Sequence, residues 1–375
     1  MNFSPDVLDI TEKTFLSLRT LYNQYGYRQY KMSKFEEYDL YSRNKDFLVS
    51  DAVITFTDTN GKLMALKPDV TLSIVKNVQD LPGSVQKLCY NESVYRVARN
   101  SSSFREIMQT GLECIGAVDP CCVGEVIWLA ANSLAVISRD FMLDISHLDI
   151  LTALVRRISP FSEVQQSILK CVSEKNIHGI DAICRSLNIS LDLAAPLRKL
   201  LALYGTPSDV LPQIRALLVP LGLTCEVEAL EQAVSTFSGS GLAGKIQIDF
   251  SVVSDPGYYN GIVFKGFVNG VPESVLSGGQ YDRLMEKMNR SARAIGFAVY
   301  LDTLEYTEAL ADDYDVDLLL IYASDTAPSA LRSAVTTLIA EGHNVCAVAE
   351  MNSRLRYRKL AEFRNGEVII LENNA

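Results

Sequence analysis

The stretch FREIMQTGLECIGA is the first place where residue types and spacing offer chemistry. Read as a strand, it puts Gln109, Gly111, Glu113 and Ile115 on one face, because side chains alternate with a period of two. That face carries an acid and an amide where a plain core sheet wants apolar residues. Such groups must meet the polar atoms of a ligand or of water. Upstream, Asp69 and Thr71 stand near the start of a helical segment, where their oxygens suit a helix N-terminus. His147, in LDISHLDI, alternates on a strand edge and reads as a satisfied structural histidine. The eight cysteines include no C-x-x-C pair and meet only three histidines, so no metal site is read. Their mostly apolar contexts, such as GLECIG and NVCAVAE, point to buried, reduced thiols. Cys121 and Cys122 open a helix and take no role.

The elements that must position these residues can be read from periodicity. Val7, Leu8, Phe15, Leu16, Leu18 and Leu21 recur at helical spacing up to the breaker Gly26. DAVITFTDTNGKLMAL predicts a hairpin around Asn60-Gly61. KPDVTLSIVKNV turns into a helix. KLCYNESVYRVARN is a strand, Arg99 to Ser103 a polar turn, and FREIMQTGLECIGA the returning strand. CCVGEVIWLAANSLAVI is a helix, and FMLDISHLDILTAL begins as a strand. From about 150 to 240 the chain is Leu/Ala-rich and helix-periodic, punctuated at Pro160, Gly179, Pro196, Gly205-Thr206-Pro207 and Pro220, which predicts a helical insertion. Strands resume in KIQIDFSVV, YYNGIVFKGFVNG and ESVLSGGQYDRL. ARAIGFAVYLDTLEYTEAL predicts a strand and a long helix.

ADDYD at 311–315 reads as an acidic linker. Beyond it, strand (VDLLLIYA), helix (PSALRSAVTTLIAEG), strand (NVCAVAE), helix (RLRYRKLAEFR) and strand (EVIIL) alternate as in a small α/β domain. The basic residues Arg354, Arg356, Arg358, Lys359 and Arg364 read as the solvated face of that second helix, with a remnant RNA or partner contact as the alternative. The predicted division is a core at 1–310 and a small domain at 315–375.

Composition narrows the class. The 375 residues are 48% hydrophobic and 21% charged, as in a globular protein with a sizeable core. Thirty-five basic against 45 acidic residues leave a formal charge of −10, which disfavours nonspecific nucleic-acid binding. No apolar run reaches the ~18 residues that a membrane span needs. MNFSPDVLDITEK lacks a basic, then apolar, leader, so the cytoplasm is the expected location.

Four stretches carry a resemblance to the catalytic core of class II aminoacyl-tRNA synthetases, the histidine enzyme in particular. LKPDVT resembles LRPEGT. SVYRVARNSSSFREIMQTGLECIG resembles the motif 2 hairpin FRxExPxxGRxREFxQxGxExxG. DPGYYNGIVFKGF resembles RGLDYYxxTVFE. SGGQYDRLMEKM with AIGFAVYLDTL resembles GGRYDxLxxxxG with xVGFxxGxERL. The resemblance covers roughly residues 5–310 and implies an α+β fold: an antiparallel sheet flanked by helices, with the helical insertion and a C-terminal domain similar to a truncated anticodon-binding domain.

Adenylation needs fixed guanidinium groups to hold developing negative charge. Arg96 keeps the motif 2 arginine. Ala98 stands where that motif has a glutamate used for ATP, and the loop is one residue shorter than the pattern. Ser254 and Thr303 stand where the family has arginines, and Tyr300 replaces a glycine, adding bulk where the nucleotide would lie. One lost preorganised charge typically costs ~3–4 kcal/mol of transition-state stabilisation, so no synthetase catalysis is expected. The amino-acid half is better kept. The resemblance implies that Asp69, Thr71 and Gln109 meet an α-ammonium, and that Glu113 and Tyr259, with Tyr258 beside them, meet an imidazole. Gly278 and Gly279 would let backbone approach the ligand. Two readings stay open: a working histidine-like pocket, or an inherited polar face filled by water.

A non-catalytic relative of this kind is similar to the regulatory subunits of ATP phosphoribosyltransferase, the HisZ family. The resemblance implies a short-form catalytic subunit as partner, a synthetase-like self-dimer within a hetero-octamer, histidine as a feedback inhibitor of the first step of histidine biosynthesis, and no cofactor. An amino-acid sensor for another enzyme and an active synthetase are the competing readings.

Overall fold

The computed structural model describes residues 8–45, 48, 52–79, 83–97, 103–306, 314–351 and 355–374. It divides into two compact units, Met1–Thr307 and Glu308–Ala375.

The first unit opens with α1 (Ile10–Gln24), started by a capping box in which Asp9 and Glu12 satisfy each other's backbone N–H. Two short strands, β1 (Arg28–Gln29) and β2 (Phe35–Glu37), lead to α2 (Tyr38–Ser42). β3 (Thr55–Thr57) and β4 (Leu63–Leu66) form the hairpin expected around Asn60-Gly61, with Gly61 at φ 83°. β2 joins them in a small three-stranded sheet. α3 (Val70–Asn77) follows, capped by Asp69, whose side chain accepts from the Leu72 N–H. β5 (Val85–Val97) and β6 (Phe104–Gly116) are long antiparallel partners. The turn between them lies outside the described residues, apart from Ser103.

α4 (Pro120–Ile137) is long and apolar enough, by length and composition alone, to cross a membrane. Here Leu129, Ala130, Ala131 and Leu134 are buried in the core. After β7 (Phe141–His147) the helical insertion appears as α5 (Leu148–Ile158), α6 (Ser162–Ser173), α7 (Ile177–Ser186), α8 (Leu191–Leu201), α9 (Pro207–Leu218) and α10 (Thr224–Ser235), with a two-residue β8 (Tyr204–Gly205) between α8 and α9. Pro196, read above as punctuation, lies inside α8. Burial of its neighbours Leu197, Leu200 and Leu201 offsets the hydrogen bond that proline forfeits.

The chain then returns to the sheet through β9 (Ile246–Asp249), β10 (Asn260–Val268), β11 (Leu276–Gln280), α11 (Asp282–Lys287) and β12 (Arg293–Tyr300). The nine strands run β1-β5-β6-β12-β11-β10-β7-β9-β8. The pairs β1–β5 and β7–β9 are parallel and the others antiparallel, so the sheet is mixed. Of the long helix expected after β12, the described part is a six-residue 3-10 helix at Leu301–Tyr306, and residues 307–310 lie outside the described residues. Leu301 and Leu304 are both buried, and a spacing of three matches the tighter turn.

His147 departs from expectation. β7 lies between β10 and β9, so it is an interior strand. The His147 side chain is buried, and its Nδ1 has no hydrogen-bond partner among the described residues. Burial lowers its pKa to about 4, so the imidazole is neutral. The thiols are also more exposed than their contexts suggest: Cys89, Cys114 and Cys184 are buried, whereas Cys121 and Cys225 are exposed.

The second unit holds β13 (Val316–Tyr322), α12 (Pro328–Ala340), β14 (Val345–Val348), β15 (Tyr357–Arg364) and β16 (Glu367–Asn373) in the order β14-β13-β15-β16. The expected second helix is strand β15. Ala361 and Phe363 alternate into a core with Leu318, Leu320 and Leu338, and β13 supplies a parallel ladder. The basic residues therefore line no helix face. Arg356 pairs with Asp315 at 2.7 Å and Arg358 with Asp317 at 3.6 Å. Arg354 lies outside the described residues.

The segment just after β4 is pinned to β5 by a buried ion pair. Lys67, with no exposed surface, places Nζ 2.8 Å from Glu92 Oε2. Burial outweighs the partner and lowers the lysine pKa. Leaving one partner of such a pair alone costs about 3–5 kcal/mol. Glu92→Ala should lower the urea-unfolding free energy by about that amount, whereas the double change Lys67→Met, Glu92→Leu should cost far less.

Candidate functional site

A cavity of about 330 Å³ opens over β6, β12 and β11, beside the start of α3. Its size is at the low end of the ~300–1,000 Å³ typical of small-molecule sites. Asp69, Thr71 and Arg96 line it, as do Gln109 and Glu113. Tyr258 and Tyr259 complete the same wall. The fold thus gathers every predicted pocket residue into one space, although they come from four separate stretches of chain.

Register explains the convergence. Gln109, Gly111 and Glu113 of β6 stand opposite Tyr300, Ala298 and Gly296 of β12. Cross-strand partners share a face. At Gly296 a Cβ would lie 1.7 Å from Glu113 Oε2, so only glycine leaves room for this carboxyl. Gly278, expected with Gly279 to admit a ligand, lines the cavity, and both glycines also make room for the protein's own atoms. A Cβ on Gly278 would meet the Gly296 carbonyl at 2.4 Å, and one on Gly279 the Ile262 carbonyl at 2.8 Å.

Glu113 is the centre of the site. Thr71 Oγ1 donates to its Oε1 at 2.9 Å, and the Tyr281 hydroxyl donates to its Oε2 at 2.7 Å. The carboxyl is nonetheless buried, and desolvation pushes its pKa up to about 8 against those two hydrogen bonds. The nearby Asp69 adds to the rise, and burial raises the pKa of Asp69 as well.

Asp69 is committed on both oxygens. Oδ1 caps α3 through Leu72 N–H at 2.8 Å, and Oδ2 lies 3.6 Å from Arg96 Nη2. Arg96 also donates from Nε to the Pro68 carbonyl at 2.7 Å, so this guanidinium braces the LKPDVT turn. Gln109 is buried, and its Nε2 has no partner among the described residues. The Tyr258 and Tyr259 ring centroids lie 4.4 Å apart at a 40° tilt, and that of Tyr258 lies 6.1 Å from that of Tyr281.

The turn that presents the two tyrosines is tied down from below. Asp149, at the start of α5, accepts from Gly261 N–H at 2.8 Å and from Arg283 Nη2 at 2.8 Å. Arg283 Nη1 reaches the Pro256 carbonyl at 2.6 Å. Asn260 Oδ1 accepts from Asp282 N–H at 2.7 Å.

Sequence reasoning missed Tyr281 and Tyr90, both cavity-lining. Tyr281 was legible, since it is the tyrosine of SGGQYD within the stretch matched to GGRYD. Tyr90 had no such signal; its hydroxyl reaches the Phe297 carbonyl at 3.4 Å, a contact between residues far apart in the chain.

The nucleotide half is differently furnished. Ser254 and Tyr300 line the cavity. Tyr300 reaches Ser277 Oγ through its hydroxyl at 2.6 Å. Thr303 is turned to the backbone, donating from Oγ1 to the Tyr300 carbonyl at 2.6 Å. Ala98 and the shortened loop lie outside the described residues. Among the described residues no group of three His, Cys, Asp or Glu is placed to hold a metal ion.

Comparison with known proteins agrees with this fold. The family model for histidyl-tRNA synthetase matches residues 2–304. An ATP phosphoribosyltransferase regulatory subunit from Oceanobacillus iheyensis is 28% identical over 283 residues, which is 75% of this chain and 69% of that protein. A Bacillus halodurans structure described as an ATP phosphoribosyltransferase regulatory subunit/histidyl-tRNA synthetase superposes with a TM-score of 0.75 at 24% identity, covering 96% of each chain. A chain of the ATP phosphoribosyl transferase (HisG:HisZ) complex from Thermotoga maritima superposes at 0.59 with 18% identity, covering 78% of this chain and 97% of that one. At these identities the structural likenesses establish the fold.

The raised Glu113 pKa makes stability depend on pH. Unfolded, the group ionises near its ordinary 4.5; folded, it keeps its proton to about 8. Between those values the unfolded chain binds fewer protons, so stability falls as pH rises, by up to about 1.4 kcal/mol per pH unit. Urea midpoints measured from pH 5 to 8 should fall more steeply for the native protein than for Glu113→Gln. Parallel slopes would show that Glu113 ionises normally.

Proposed function

We propose, from the premise that this chain belongs to the histidyl-tRNA synthetase family, that it works as the regulatory subunit of ATP phosphoribosyltransferase. The observation that carries this reading is the asymmetry of the cavity. Its amino-acid half is built around Glu113, Thr71 and Tyr281, while serine and threonine occupy the positions of the two arginines at 254 and 303. Relatives named as regulatory subunits of that enzyme support it.

On this reading the chain performs no chemistry of its own. Adenylation leaves charge on the α-phosphate that neutral Ser254 and Thr303 do not hold, and Tyr300 fills space beside them. The pocket of Asp69, Thr71, Arg96, Gln109, Glu113, Tyr258 and Tyr259 takes a histidine-like ligand. The partner is a short-form catalytic subunit, in keeping with the complex formed by the Thermotoga maritima relative. The chain pairs with itself as synthetases do, within a hetero-octamer in the cytoplasm. Residues 315–375 form a reduced anticodon-binding-like domain with no tRNA to read.

Two measurements decide the matter. The pure chain should give no histidine-dependent exchange between ATP and pyrophosphate. Added to a short catalytic subunit, it should raise turnover and make that turnover sensitive to histidine. Because coupling is reciprocal, histidine should bind the assembled complex and the free chain with different affinities. Exchange activity, or a catalytic subunit indifferent to this chain, would falsify the proposal.

A further inference from the structure

The cavity needs a cation for the carboxylate of an amino-acid ligand, and we propose that Lys265 supplies it in place of the arginine absent at Ser254. This inference rests on the reading of the cavity as a histidine-like pocket.

Topology puts Lys265 on the right face. On β10 it stands opposite Ser277 of β11, Ser277 stands opposite Ala298 of β12, and Ala298 stands opposite Gly111 of β6. Gly111 shares its face with Gln109 and Glu113. Lys265 accordingly lines the same cavity and is only partly buried. Arg96, which braces Pro68 and Asp69, also lines the cavity. Three carboxyl groups, Asp69, Glu113 and Asp255, also line the space. A ligand carboxylate entering there needs an opposite charge nearby. A lysine ammonium on its flexible four-carbon stem can reach it. Gln109, whose buried Nε2 has no partner among the described residues, can give it an N–H.

The sequence carries a matching exchange. Where the pattern RGLDYYxxTVFE has arginine and glutamate, this chain has Ser254 and Lys265. The arginine's charge is lost from the turn, and a positive charge replaces a negative one on the adjoining strand. Loss of Ser254's counterpart therefore leaves the cavity able to hold an anion, at a different wall.

The test compares L-histidine with L-histidinol, which keeps the imidazole and the ammonium but has an alcohol in place of the carboxylate. Calorimetric titration of the full chain should show histidine bound roughly tenfold or more tightly than histidinol, as for a hydrogen bond to a charged group. Lys265→Met should erase most of that preference and leave histidinol binding intact, and Lys265→Arg should restore it. Intact histidinol binding also reports that the variant is folded. Equal affinity of the native chain for both compounds overturns the proposal, as does a Lys265→Met protein that keeps the preference. Equal loss of both ligands in that variant overturns it too, because it marks a structural role. If the isolated chain binds neither compound, Lys265 has no such function, while activation of the catalytic subunit still decides the regulatory reading separately.

Discussion

A carboxyl group set into the middle of a nine-stranded sheet constrains everything around it. Glu113 sits on β6 where a packed sheet wants an apolar side chain. An unpaired polar group there costs free energy, so each neighbour is arranged to meet it. Thr71 and Tyr281 donate to its two oxygens, and glycine at 296 clears the space they occupy. Even so, desolvation wins over the hydrogen bonds and the group holds its proton near neutral pH. A protonated carboxyl at the back of a cavity presents both an acceptor and a donor, which suits a ring with two nitrogens.

Around that centre, the cavity is held by contacts within the protein. Asp69 spends its oxygens on the α3 N-terminus and Arg96, which braces the LKPDVT turn. Asp149, Arg283, Asp282 and Asn260 tie the tyrosine-bearing turn to α5 and α11. Such prior ordering reduces what binding must pay in entropy. Asp69 and Arg96 both face the space and fix its wall.

The synthetase likeness and the proposed regulatory role sit together without conflict. Fold and site are inherited separately, since the sheet depends on register and burial while adenylation depends on a few guanidinium groups. Serine at 254 and threonine at 303 leave the strands unaltered, because neither position belongs to the ladder that builds the cavity floor. Thr303 even acquires a backbone role, closing the turn after β12.

Much of the fold was legible because its signals are local. Alternation marked β6, Asn60-Gly61 marked the hairpin, Asp69 marked the start of α3, and leucine periodicity marked the insertion. Alternation and a helix start drew attention to Gln109, Glu113, Asp69 and Thr71, the motifs added Arg96, Tyr258 and Tyr259, and all of them meet in one cavity. The misreadings share a cause. RLRYRKLAEFR has enough helix formers to suggest a helix, but it lies beside β13, whose free edge offered a ladder and whose core took Ala361 and Phe363. His147 read as an edge residue because no local pattern says which strands flank β7. What the sequence by itself determined were the elements and the chemical inventory, through periodicity and residue type over short spans. Only the tertiary structure decided that Gly296 makes way for Glu113, that Tyr90 and Tyr281 join the wall, and that Lys265 faces the same space as Gln109. Those facts depend on strand order and register, which arise from long-range packing that no single segment contains.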